Sequence, residues 1–289
     1  MSALQIRPLG GNENGGLGAE VIGLDLSRPL ADDDFARIHR AHLDHHVLVF
    51  RDQRITPSQQ IDFSRRFGPL QVHVLHQFLL AGKPEILIVS NIKDESGKPI
   101  GLGDAGHYWH SDLSYKERPS LGSMLHAQEL PAIGGDTVFA NMHTAWETLP
   151  PALRKAVEGL KAEHTYLARY DELRERSPWR PALTDVQKAQ VQPVVHPVVR
   201  THPETGRKAL FVSEHFTTRI LGVSEGRSHD LLAALFEHSV RPEHLYRHRW
   251  APRDMVFWDN RSVMHLATGC PDDQRRKLYR TTIEGDVPY

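Results

Sequence analysis

Met255-Val-Phe-Trp-Asp-Asn-Arg-Ser-Val-Met-His265 reads as a short strand, a polar break and then a histidine. Met255–Trp258 is a brief apolar run stopped by Asp259-Asn260-Arg261, which suits a buried strand better than a helix. Similar runs recur from residue 120 onward. Ser123–Gln128, Thr137–Ala140, Val194–Val199, Lys208–Val212, Tyr246–Trp250 and Leu278–Glu284 read as strands. Gly134-Gly135-Asp136 and Pro203-Glu204-Thr205-Gly206 supply turn signals between them. Helices interrupt the series. One opens with a Thr144-x-x-Glu147 capping box and another follows Thr184. A further one follows Ser224, with Leu231, Leu232, Leu235 and Phe236 at helical spacing. Nearer the N-terminus, residues 18–30 read as a strand and turn, and Val47–Phe50 and Ile86–Val89 as strands. Asp32, Asp33 and Asp34 offer an N-cap and first-turn charge for a helix to about His45. Thr56-Pro57 starts a second helix, which Gly68 is placed to stop.

Many short strands with inserted helices predict a mainly β fold, a double-stranded β-helix of the jelly-roll, cupin-like kind. A doubly wound parallel sheet fits worse, because strands and helices do not alternate regularly. No internal repeat, low-complexity tract or linker divides the chain, so 1–289 reads as a single domain. Cys270 is the one cysteine, which excludes an intramolecular disulfide and suits a reducing, cytoplasmic setting. Met1-Ser-Ala-Leu-Gln-Ile-Arg7 lacks the apolar stretch of a signal peptide, and no apolar run approaches the ~20 residues of a membrane span. A net charge of −1 gives no basic footprint for nucleic acid. The 19 histidines are conspicuous, but a count carries no chemistry by itself.

Spacing separates the histidines. A His-x-acid pattern occurs at His42-Leu-Asp44, His110-Ser-Asp112 and His202-Pro-Glu204. His42 and Asp44 fall in the first predicted helix, where i and i+2 point apart. His202 and Glu204 flank a proline in a turn expected to be an exposed hairpin. His110 and Asp112 lie in a stretch, Tyr108–Tyr115, that reads as extended. There i and i+2 face the same way, about 6–7 Å apart at Cα, and can converge on one ion. With His265 they offer two imidazoles and a carboxylate, a set that leaves one face of Fe(II) open. The same residues also read as core histidines bonded to a carboxylate, and zinc accepts the same donors. No His-Glu-x-x-His helix, Cys-x-x-Cys pair, Gly-rich phosphate loop or Gly-x-Ser-x-Gly elbow is present. Arg276 and Arg280 share a face of the last predicted strand, about 13 Å apart. Buried there they need anions; on a solvated edge strand they need nothing.

Taken together, Trp109-His-Ser-Asp112, Gly134-Gly-Asp-Thr-Val-Phe-Ala-Asn141, His196-Pro-Val-Val-Arg-Thr-His-Pro203, Phe216-Thr-Thr-Arg-Ile220 and Trp258-Asp-Asn-Arg261 to Glu284 resemble the taurine dioxygenase family, which includes 2,4-dichlorophenoxyacetate dioxygenases. The resemblance runs from Gly18 to the end. It implies an Fe(II)- and 2-oxoglutarate-dependent dioxygenase that hydroxylates a small organic anion while 2-oxoglutarate is decarboxylated to succinate, with O2 as the other cosubstrate. It implies His110, Asp112 and His265 as iron ligands, Thr137 and Arg276 on the distal carboxylate of 2-oxoglutarate, and Arg280 on the substrate's anionic group. His73 and Phe216 match substrate-contacting positions. Departures fall in the substrate pocket. His76 stands where a tyrosine is expected, Gly106 where an asparagine is, and Arg169-Tyr170 where a serine-phenylalanine pair is. Arg169 and Tyr170 thus join the substrate-binding candidates, Arg169 as a second anion contact. Those lost polar groups would serve taurine's amine, so the expected substrate is an alkyl or aryl sulfonate, a sulfate ester or an aryloxy carboxylate. A cupin-like sensor that binds metal and 2-oxoglutarate without turnover is the competing reading. The resemblance further implies a dimer or tetramer. Segments 73–108 and 165–193 are lid candidates.

Overall fold

The computed structural model describes residues 4–9, 16–177 and 180–289. Residues 1–3 of the stretch read for a leader peptide, and 178–179 of the second lid candidate, lie outside them. The larger sheet is built from β1 (Gln5–Pro8), β2 (Ala19–Ile22), β3 (Val47–Phe50), β4 (Leu79–Leu80), β5 (Lys83–Ser90), β6 (Ser120–Glu129), β14 (Met255–Asp259) and β16 (Lys277–Glu284). Their spatial order is β1-β2-β3-β14-β6-β16-β5-β4. A second sheet has the order β13-β7-β15, from β7 (Thr137–Asn141), β13 (Leu245–His248) and β15 (Val263–Ala267). Smaller sheets join β8 (Lys161–His164), β9 (Val194–Pro197) and β12 (Thr217–Ile220), and pair β10 (Val199–Thr201) with β11 (Lys208–Leu210). Apart from the parallel pair β2–β3, the ladders among the described residues are antiparallel. Irregular strand order and antiparallel pairing exclude a doubly wound sheet. The chain is mainly β with inserted helices. No described helix is long and apolar enough to cross a membrane.

β14 explains why the opening stretch mattered. Each of its residues is buried, because it lies between β3 and β6 and is covered on both faces. Phe257 packs among Phe50, Met124 and Phe63 on one side. Val256 and Trp258 point to the other, with Phe139 and Leu125. Trp258 lies 5.7 Å from Phe139 of β7 and 4.7 Å from the His265 ring, so this core runs up to the candidate ligands.

Helix ends follow local chemistry, not always as expected. α1 (Asp32–His45) carries its three aspartates in the first turn, but the N-cap is Ala31 with no side-chain bond. The aspartates therefore act on the helix dipole and do not cap. α2 (Pro57–Arg65) starts at Thr56 as expected, and Gln59 completes a capping box that was not expected; its C-cap is Arg66, and Gly68 lies beyond it. α3 (Met142–Glu147) starts earlier than the Thr144 box predicts. Asn141 Oδ1 accepts from the backbone N–H of His143 and Thr144, which leaves Thr144 inside the helix. α6 (Asp185–Ala189) and α7 (Glu225–Ser239) start at Thr184 and Ser224 as predicted. α4 (Pro151–Val157) and α5 (Leu167–Arg176) have weak sequence signals and were not expected as elements. β1, β4, β8, β12 and β15 were not expected either, and Val194–Val199 is broken into β9 and the start of β10.

His202 corrects another expectation. The hairpin is present, but the imidazole is buried, and its Nε2 lies 2.9 Å from Asp259 Oδ2. His42, His143 and His164 are likewise buried. Burial holds His42 and His143 at about 4 and His164 at about 3, although Asp259 pulls His42 and the Lys208 carbonyl pulls His143 the other way. Above pH 6.5 both folded and unfolded chains carry these rings neutral. Below it the unfolded chain takes up protons that the folded chain refuses, so stability is lost as pH falls from 6.5 toward 4. Each ring withdraws about 2 kcal/mol by pH 5. Urea unfolding followed at pH 7, 6 and 5 is expected to show a steep drop in midpoint, and a flat profile would show these rings titrating normally.

Candidate active site

His110 and His265 are neighbours across a backbone bridge. The N–H of each donates to the other's carbonyl, at 3.1 and 2.9 Å. Their ring centroids are 4.1 Å apart. His265 lies within β15, a strand the sequence did not reveal, rather than in a loop after β14. Asp112 reaches the same point by a different route from the expected extended stretch. The chain turns after His110, and Leu113 adopts φ 57°. The turn returns the carboxylate so that Asp112 Oδ1 lies 3.5 Å from His110 Nε2. One candidate ligand atom from each of His110, Asp112 and His265 falls within 4.8 Å of the others, and all these residues are buried.

The chemistry of this trio fits a divalent metal. His110 Nδ1 lies 2.8 Å from the Tyr108 carbonyl, so the proton sits there and Nε2 keeps its lone pair. Burial, reinforced by the neighbouring His110, holds His265 well below the usual imidazole range, which keeps it in the neutral form a metal requires. Burial opposes the charge of Asp112, yet Arg280, His110 and His265 keep its carboxyl well below the usual range. Arg280 Nη1 donates to Asp112 Oδ1 at 3.1 Å and Ser123 Oγ to Oδ2 at 2.7 Å.

Asn260, read only as part of a polar break, braces Asp112 from both sides. Its Oδ1 accepts from the Asp112 N–H at 2.6 Å, and its Nδ2 donates to the Asp112 carbonyl at 2.8 Å. Asp259 and Arg261 fix the turn that carries it, Arg261 donating to both carboxylate oxygens of Asp259 at 2.8 Å. The backbone of Gly106 also matters. A Cβ there would meet His110 Cε1 at 3.3 Å, and φ is +77°, so the glycine lets the wall close on the imidazole.

Beside the trio a recess is lined by Thr137, His265, Arg276 and Arg280 among others. Arg276 is buried and donates through Nε to the Gly135 carbonyl at 3.2 Å. Among the described residues neither Nη has a hydrogen-bond or ion-pair partner. Burial lowers its pKa to about 10, against the pull of Cys270 and Asp136, and it remains a cation. A Cβ on Gly135 would meet Arg276 Nε at 3.2 Å, so glycine gives this side chain its passage. Trp250 Nε1 donates to Thr137 Oγ1 at 3.1 Å.

A second cavity, of about 60 Å³, opens on the trio's other side. His73, Phe216 and Arg280 line it, as do Tyr115, Tyr166, Leu173, His215 and Arg180, which the sequence did not single out. Burial and Arg280 hold His73 at about 3. Asp104 is paired with Arg180, whose Nε and Nη2 donate to its carboxylate oxygens at 3.1 and 2.5 Å. Arg169 and Tyr170 are not brought to this wall. Arg169 pairs with Glu172 at 3.0 Å in an outer recess, beyond the stacked rings of Tyr108 and His215. The Tyr170 hydroxyl donates to the Pro181 carbonyl. His76 is exposed and faces an outer groove.

The sequence profile of the taurine catabolism dioxygenase TauD, TfdA family matches residues 5–282. The chain belongs to this family. An alpha-ketoglutarate-dependent 2,4-dichlorophenoxyacetate dioxygenase of Cupriavidus pinatubonensis is 37% identical over 282 residues, covering 93% of this chain and 95% of that protein. An alkylsulfatase of Acinetobacter baylyi is 35% identical, covering 98% and 86%. The crystal structure of AAD-2 in complex with Mn(II) and N-oxalylglycine superposes with a TM-score of 0.80 at 31% identity, covering 99% of each chain. Within the family's frame, Asn260 is a positioning residue for Asp112. Asn260→Ala should leave the circular dichroism spectrum unchanged but lower Mn(II) affinity about ten- to hundred-fold. Titration calorimetry showing affinity within two-fold of the parent would remove it from that role.

Proposed function

We propose that this chain is an Fe(II)- and 2-oxoglutarate-dependent dioxygenase that hydroxylates a small anionic organic substrate, from a single domain spanning 1–289 folded as a double-stranded β-helix. The observation that carries the reading is a buried His110–Asp112–His265 trio beside Arg276, a buried guanidinium whose tip has no anionic partner among the described residues. A metal clip alone would gain nothing from such a cation, which is costly to bury unpaired. Relatives named as dioxygenases favour turnover over a sensor. We also propose a cytoplasmic location, in keeping with the single cysteine.

His110, Asp112 and His265 would hold Fe(II). When bound, Fe(II), 2-oxoglutarate and O2 supply the oxidising power, giving succinate, CO2 and a hydroxylated substrate. The protein's own share is placement. Arg276 offers a planar fork to the distal carboxylate of 2-oxoglutarate. Thr137, already accepting from Trp250, has its hydroxyl proton left to donate to the same group. Arg280 holds the substrate's anion, since a metal at Asp112 takes over the carboxylate's charge. His73 and Phe216 form the wall against which the rest of the substrate lies.

The substrate class follows from what lines the cavity. Its walls are largely aromatic and aliphatic, which suits an alkyl or aryl tail. The lining carboxylates, Asp112 and Asp104, are committed to the metal trio and to Arg180, so neither is left for an amine. We therefore favour an alkyl or aryl sulfonate, a sulfate ester or an aryloxy carboxylate over taurine.

Succinate formation across such a panel, with Fe(II), ascorbate and air, tests the reading. Substrate-dependent succinate is expected, with taurine poor. Product formation under nitrogen without 2-oxoglutarate would instead mean zinc-type hydrolysis. Asp112→Ala should abolish turnover with the fold retained, and near-normal activity would remove Asp112 from the ligand set. Arg276→Ala should raise the KM for 2-oxoglutarate about ten- to hundred-fold, as loss of a charge-assisted bond worth ~1.5–3 kcal/mol implies. Its effect on the organic substrate should be smaller, and the reverse ordering would exchange the roles of Arg276 and Arg280.

A further inference from the structure

Resting on that reading of Arg276, we infer that the keto acid reaches its site through an opening of its own, separate from the cavity that takes the organic substrate. A cavity of about 440 Å³ lies on the outer side of Arg276, with Asn91, Lys93, His107 and Cys270 in its wall. It shares Val89, Ala267 and Arg276 with the recess that holds Thr137 and His265. The substrate-side cavity meets the same recess elsewhere, through Ala105, Gly106, His110 and Arg280. The two approaches therefore converge on the metal trio from different sides.

The partition is the stretch from Gly103 to Tyr108. Gly103, Asp104 and His107 line the outer cavity, while Asp104, Ala105, Gly106 and Tyr108 line the substrate cavity. Arg180 pins it at Asp104, and the Ala267 N–H donates to the Gly106 carbonyl at 2.7 Å. Size and charge assign the openings. The outer cavity falls in the usual range for a small-molecule site, while the inner one is far below it. Arg276, nine-tenths buried with both Nη groups lacking a partner among the described residues, stands at the inner end of the outer cavity. The wall carries Lys93 and Asp272, and Asp104 is paired with Arg180, so the unpaired buried cation that a dicarboxylate meets among the described residues is Arg276 at the inner end. Loading 2-oxoglutarate thus does not require the aromatic substrate cavity to open.

The one cysteine makes this testable, because Cys270 is partly exposed in the outer cavity and is the only thiol to label. Mn(II)-loaded protein under nitrogen is treated with fluorescein-5-maleimide, and 2-oxoglutarate association and release are followed by stopped-flow tryptophan fluorescence. A plug in the path should slow both rates at least ten-fold, and 2-oxoglutarate should slow labelling. Cys270→Ser, treated identically, should keep the parent's rates. The inference is overturned if labelled protein keeps both rates within two-fold, or if the label speeds release without slowing association, which would mean a clash inside the site. Failure of unlabelled protein to bind 2-oxoglutarate would overturn the underlying reading, and this inference with it.

Discussion

The buried negative charge of Asp112 is the constraint around which the site is organised. A carboxylate out of water needs a counter-charge and filled lone pairs, or it costs several kcal/mol. Here Arg280 supplies the charge, Ser123 fills the second oxygen, and the His110 and His265 rings stand beside it. A metal brings a larger positive charge to the same carboxylate. On the proposed roles, Arg280 would then be released from Asp112 toward the substrate side. One guanidinium can serve the carboxylate before metal loading and an organic anion after it.

Support for that charge comes from a second buried network. Asp259 is kept well below the usual carboxyl range, burial being outweighed by Arg261 and His202. Arg261 continues to Glu204, and Glu204 to His39 nearer the surface. None of these groups lines the cavities beside the metal trio. Their work is to hold the turn between β14 and β15 so that Asn260 meets Asp112 on one side and β15 delivers His265 on the other. The polar break in an otherwise apolar stretch is thus the hinge-pin of the metal centre, and its charges are affordable because each is paired.

Legibility tracked the kind of interaction involved. Apolar strands such as β3, β7 and β14 were readable because burial dictates their residue types. α2, α6 and α7 were readable because their caps are local. The candidate trio was readable as a set only through the family resemblance, since any single histidine has a structural alternative and the two arginines could have lain on a solvated edge. What stayed hidden depends on partners far along the chain. Asn260 serves Asp112 from 148 positions away, and Arg180 meets Asp104 across 76. β15, Val263–Ala267, was hidden although it is no shorter than β14, because it directly follows a polar break and its pairing is with β7, far back in the chain. The expected His110–Asp112 strand converged on the right point with the wrong backbone, because a turn can also bring side chains two apart together. The place of Arg169 was not legible, because its position in the chain says nothing of the ring pair, Tyr108 and His215, between it and the cavity.

The two approaches to the metal differ in character, and the difference bears on what the enzyme can discriminate. The Arg276 side is polar, and every turnover uses the same keto acid there, so its walls need only recognise one dianion. On the proposed roles, Arg280 would fix one end of the substrate, while Tyr115, Tyr166, Phe216 and Leu173, which line the same cavity, would meet whatever is attached to it. A charge-assisted bond to an anion barely distinguishes sulfonate, sulfate and carboxylate, whereas a closed apolar wall distinguishes tails by volume, at about 1–3 kcal/mol per methylene. On that proposal, selectivity would reside in the shape of the aromatic wall rather than in the cation.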